Sequence, residues 1–225
     1  MNNKKLLTAV ALAAAPLFAA GFASNAMATV ELKLSSGAYT SAVSVGASCS
    51  SGTCISPLST TVGDWDVNLT SGFSAGPGNP IMDLSSFNAT GSGSAAPLHI
   101  ELSDNGFNVG SSLFLLKSLG GLVFGSGTAT YSVYFDAGNT HFAETTLIGL
   151  LGPFTTDYLV NMTGAGTTGT PYSLTEDLVL TAGAAGVAWS TDSSIAPVPE
   201  PAAIVLLASQ VVGLGWLGRR RRRVG

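Results

Sequence analysis

Four stretches of this chain alternate apolar and polar residues with a period of two. That pattern suits a strand with one buried face and leaves no continuous stripe for a helix. In "VELKL", Val30, Leu32 and Leu34 oppose Glu31 and Lys33. In "DWDVNLT", Trp65, Val67 and Leu69 oppose Asp64, Asp66, Asn68 and Thr70. In "LHIELS", Leu98, Ile100 and Leu102 oppose His99, Glu101 and Ser103. In "TATYSVYF", Ala129, Tyr131, Val133 and Phe135 oppose Thr128, Thr130 and Ser132. A core lined by these faces is built from sheets.

Further strands are expected over 38–45, 144–151, 157–162, 172–181 and 185–190. In the fourth of these, Tyr172, Leu174, Leu178 and Leu180 share a face with Glu176, and a bulge near Glu176 and Asp177 is expected to keep both acids out of the core. Turn clusters separate the runs: "SAGPGNP", "GSGSAAP", "SDNGF", "DAGNT" and "TGAGTTGTP". Their Asn-Gly and Gly-Asn pairs supply the positive φ of tight turns. Only 110–121, "GSSLFLLKSLGG", suggests a short helix. The expected fold class is all-β, an antiparallel β-sandwich-like body.

The ends differ from this middle. Lys4 and Lys5, an apolar run from Leu6 to about Phe22, and Ala26-Met27-Ala28 have the layout of an export signal, cut between Ala28 and Thr29. The expected organisation is a signal helix over 1–28, an exported domain over 29–196 and a tail over 197–225. Over 29–198, twelve acids stand against Lys33 and Lys117, a formal charge of −10. Such a surface repels nucleic acid and anionic lipid.

Cys49 and Cys54 flank a short glycine-containing loop, and in an oxidising exported setting they are expected to form a disulfide. A zinc site needs more ligands than these and the two histidines, His99 and His141, and "DWD" and "SDNGF" lack the spacing of a calcium loop. No metal or cofactor is expected. Asp64 and Asp66 fall on one strand face roughly 7 Å apart, within the roughly 5–10 Å of a glycosidase pair. Alternation alone places polar residues there, however, and no G-x-S-x-G elbow accompanies His99 and Glu101. A non-catalytic protein is therefore expected. A carbohydrate-binding module with Trp65, Tyr134 or Trp189 as stacking platforms is the alternative, and a secreted hydrolase is the weaker one.

The tail reads "PVPEPAAIVLLASQVVGLGWLGRRRRRVG". Ala202 to Gly218 is uncharged, about 25 Å long as a helix, and suits a membrane helix at the short end of the range. Pro199 and Pro201 bar a helix from continuing backwards into the domain. Arg219, Arg220, Arg221, Arg222 and Arg223 then hold the end on the cytoplasmic side.

Pro199-Glu200-Pro201, one apolar helix and an arginine cluster, in that order, resemble the PEP-CTERM sorting signal of Gram-negative bacteria. The resemblance covers about the last 29 residues. It implies that Pro199, Glu200 and Pro201 are read by an exosortase, that 202–218 spans the inner membrane transiently, and that the arginines stop transfer. It further implies delivery to the cell surface or extracellular matrix, with a link to exopolysaccharide and biofilm, and makes extracellular polysaccharide a partner of the body. The segments "GDWDVNLTSG", "LHIELSDNGF" and "YSLTEDLVLT" are similar to ectodomains of such proteins, and that similarity brings no site residues.

Overall fold

The computed structural model describes residues 29–167 and 169–198. The signal segment with Ala28, the motif Pro199-Glu200-Pro201, the apolar stretch 202–218 and Arg219 to Arg223 lie outside the described residues. No helix among the described residues is long and apolar enough to cross a membrane.

The described chain is all-β. In order the strands are β1 Glu31–Ser36, β2 Tyr39–Thr40, β3 Ser44–Val45, β4 Ala47–Cys49, β5 Gly52–Ile55, β6 Leu58–Val62, β7 Trp65–Ser74 and β8 Met82–Gly91. They continue as β9 Leu98–Phe107, β10 Ser111–Gly125, β11 Ala129–Asp136, β12 Thr146–Phe154, β13 Tyr158–Thr167, β14 Tyr172–Leu180 and β15 Val187–Pro197. One antiparallel sheet has the order β12-β11-β14-β9-β1-β2, with β3 also on β1; the other runs β13-β10-β15-β8-β7-β5-β4, with β6 also on β7. The two sheets enclose one core, consistent with a β-sandwich.

Alternation does the work assigned to it. Leu32 and Leu34, Trp65, Val67 and Leu69, Leu98, Ile100 and Leu102, and Tyr131 and Val133 all enter the core. Trp65 is fully buried, and its indole Nε1 donates to the Ala96 carbonyl at 2.7 Å. The core is tight enough to exclude single carbons. A Cβ on Gly91 would sit 2.9 Å from the Trp65 ring, and one on Gly72 would sit 2.8 Å from Leu102 of the facing sheet.

Several elements differ from the sequence reading. The segment expected to be helical, 110–121, runs into the start of β10 from Ser111, because β13 and β15 bond it on both sides. Leucine runs fit either element, and long-range pairing decides between them. "SDNGF" is not a turn: β9 continues through it to Phe107, with Gly106 at φ 75° where the register against β14 shifts. Similarly, β13 runs on to Thr167. Residues 38–45 form two short pieces, β2 and β3, that each pair with β1. Strand β8 escaped the sequence reading altogether. Ser86 adopts φ 51°, and the register against β15 slips beside it, so Met82 and Leu84 point inward in one phase and Phe87 and Ala89 in the other.

No bulge forms at Glu176 and Asp177. The register of β14 runs unbroken from Leu174 to Leu180 against both β9 and β11. Glu176 therefore points into the core, where it is 1% exposed.

Candidate functional site

Register builds the main cluster of charge on the outer face of the first sheet. Lys33 pairs with Glu101, Glu101 with Asp177, and Asp177 with Ser132, so one row crosses β1, β9, β14 and β11. The next row holds Ser35, His99, Val179 and Thr130. Lys33 Nζ lies 2.8 Å from Glu101 Oε2, and His99 Nδ1 lies 3.3 Å from Asp177 Oδ2. Hydrogen bonding to the Asp177 carboxylate raises the pKa of His99 above its usual 6.5, against the opposing effect of burial. Glu101 thus faces the Lys33 ammonium, and Asp177 faces the His99 ring, on the neighbouring strand.

The β11–β12 loop, 137–145, folds over this face. The Asp136 carboxylate accepts the Thr140 N–H at 3.0 Å and the Thr145 hydroxyl at 3.0 Å, and its pKa is lowered, first by the backbone bond to Thr140. The Phe142 N–H donates to Ser103 Oγ at 3.0 Å, and the Ser173 hydroxyl donates to the Thr140 carbonyl at 2.7 Å. Lys33 Nζ sits 4.7 Å from the centre of the Phe142 ring, a cation–π contact. Burial, and then the charges of Asp177 and Glu101, raise the pKa of Glu144 on the same loop. This is a cross-linked ionic surface in which Glu101 and Asp177 are buried and already engaged.

The other sheet carries a groove of different chemistry. Its outer face aligns Ser59 with Asn68 and Asn68 with Asn88, while Thr61 aligns with Asp66 and Asp66 with Thr90. Together with Thr60 and Val67 these residues line a shallow hollow of about 430 Å³. Hydroxyls and carboxamides dominate it, and Asp66 is its one ionisable group, accepting the Thr61 hydroxyl at 3.0 Å. A smaller hollow of about 270 Å³ lies beside Lys117, between Leu119, Leu159, Asn161 and Asp192.

Comparison with known proteins assigns no family. No protein-family model matches the chain, and no curated protein matches it. Among solved structures, the enzymatically active domain of tailspike protein 4 of bacteriophage CBA120 is similar at 12% identity and a TM-score of 0.37, over 60% of this chain. The match spans 19% of that protein's chain.

The residues singled out in the sequence are dispersed. His99 and Glu101 lie on the ionic face, whereas Asp64 sits in the turn before β7 and Asp66 lies in the polar groove of the other sheet. Trp65 and Trp189 are 0% and 1% exposed, which removes both indoles as stacking platforms. Tyr134 is half-buried beside the ionic row. Cys49 and Cys54 are joined by a disulfide that closes the β4–β5 hairpin. No group of three or more His, Cys, Asp or Glu side chains among the described residues is placed to hold a metal ion.

Sequence reasoning missed the buried acid. The Glu176 carboxyl lies between β14 and β15, closest to the Tyr131 hydroxyl and the Ile195 N–H, yet neither of its oxygens makes a hydrogen bond of ordinary geometry among the described residues. Burial raises its pKa well above the usual 4.5, and the charge of Asp83 adds to this. The signal was present in the strict alternation of 172–180, which places Glu176 in phase with Leu174 and Leu178.

Proposed function

We propose that this chain is an exported, exosortase-sorted protein of the cell surface or extracellular matrix, with a non-catalytic structural or interaction role linked to exopolysaccharide. The observation that carries this reading is the order of parts at the C-terminal end. The last strand stops at Pro197, and the proline–acid–proline motif, the apolar segment and the arginines follow at once. A domain that ends where the motif begins leaves the motif open to a membrane enzyme. The disulfide suits an oxidising compartment. The acidic exterior suits solubility outside the cell. Deleting 199–225 and fractionating the cells tests this. Accumulation of the truncated protein in the periplasm or medium, away from the site of the full chain, is expected. Arrival of both at the same final location would refute it.

The polar groove favours a second reading, a carbohydrate-binding module. Hydroxyl and carboxamide groups pair with sugar hydroxyls, and the two asparagines face each other across β7 and β8. Pull-down on neutral polysaccharides should retain the domain and lose the N68A/N88A variant. Equal retention of both proteins, or of neither, rules this site out.

A further inference from the structure

The chain leaves its domain at a definite place. The Val198 N–H donates to the Leu113 carbonyl at 2.9 Å, so the described chain ends beside the beginning of β10. From Val198 to Ala202 the backbone reaches at most about 14 Å. If 202–218 is in the bilayer, the membrane surface is therefore held against this end of the domain.

Three connections surround the exit: 75–81, 108–110 and 169–171. They read "AGPGNPI", "NVG" and "GTP" and contain no charged residue, although the domain has a formal charge of −10. The first two are tied together by the Asn108 N–H, which donates to the Pro77 carbonyl at 2.9 Å. Of the acids near this end, Asp104 is fully buried and bonded by Ser74, Asp136 is held by Thr140 and Thr145, and Asp83, bonded by Ser85, and Glu31 are half-buried. Apolar side chains stand out instead, with Val109 at 45% and Leu113 at 44% exposure. The opposite end carries Asp64 and Asp157 in its turns. An acidic protein is repelled by anionic headgroups at close range. A neutral, partly apolar end is the part that can rest on lipid.

We infer that the end of the domain around the chain exit, with Val109 and Leu113 at its surface, is a lipid-contact face that rests on the bilayer while the tail is inserted. This rests on the reading of 202–218 as a membrane span.

The test uses the full chain reconstituted in phosphatidylcholine vesicles that carry a headgroup-linked quencher. Both native cysteines are in the disulfide, so a single added cysteine can carry a fluorophore. Labels go at Val109→Cys and Leu113→Cys, with Val123→Cys as the control. Val123 is exposed and apolar on the same strand as Leu113, about 33 Å further along. Quenching at least twofold stronger at 109 and 113 than at 123 is expected. Equal quenching at all three positions, in protein that floats with the vesicles, overturns the contact face and leaves the span intact. Failure to float overturns the span and the contact face with it.

Discussion

Replacing Glu176 with Gln tests whether the core holds a neutral acid. In the folded protein the carboxyl is 1% exposed, and burial raises its pKa well above the usual 4.5. In the unfolded chain it ionises with a pKa near the usual 4.5. Folding above that pH takes up a proton, so the stability of the folded state declines as pH rises. Each pH unit over which the two states differ by that proton removes about 1.4 kcal/mol. The wild type is therefore expected to lose stability relative to E176Q as pH rises from 5 to 7. His99, Asp104 and Asp192 also have raised pKa values and change stability in the same direction. They persist in E176Q, so the difference between the two proteins isolates Glu176. Urea denaturation followed by the fluorescence of the buried Trp65 and Trp189 should show wild type losing ground to E176Q as pH rises from 5 to 7. A difference that stays constant over those two units would refute the neutral, buried carboxyl.

Three further outcomes follow from local geometry. Gly91→Ala should destabilise by about 1–3 kcal/mol in denaturant melts, because its Cβ meets three atoms of the Trp65 ring at 2.9–3.0 Å. Removing the disulfide with C49S/C54S should lower stability by about 2 kcal/mol, since the sequence separation is 5; adding reductant to the wild type should reproduce the loss. Asp177→Asn should lower the pKa of His99, read from its ring proton shifts by NMR, because the Asp177 hydrogen bond is the largest influence raising it.

Strands with one clean buried face were legible in the sequence, because burial and alternation are the same fact there. Trp65 to Leu69 and Leu98 to Leu102 are examples. Strand β8 was hidden by a single residue: Ser86 inverts the phase, so Leu84 and Phe87 enter the same core at odd spacing. Strand β10 was hidden by composition, since its leucines and flanking glycines satisfy a helix equally well until β13 and β15 claim its backbone. The ionic row was illegible for another reason. Lys33, Glu101 and Asp177 come from widely separated parts of the chain, and only the register of β1, β9 and β14 makes them neighbours. For Glu176 the alternation gave the right inward face, but the expectation that a bulge must rescue an acid was wrong; the strand stays regular, and burial raises the pKa of the carboxyl instead.

The position of β15 has a mechanical consequence. It lies between β10 and β8, and the chain beyond Val198 continues from its end. A force applied through the tail therefore runs along the strand axis, across hydrogen bonds that lie perpendicular to it in both ladders. Those bonds share the load in shear along the strand instead of opening one at a time from an end. A domain attached through a central strand in this way resists steady drag far better than one attached through an edge strand such as β13, whose single ladder with β10 could be peeled from one end.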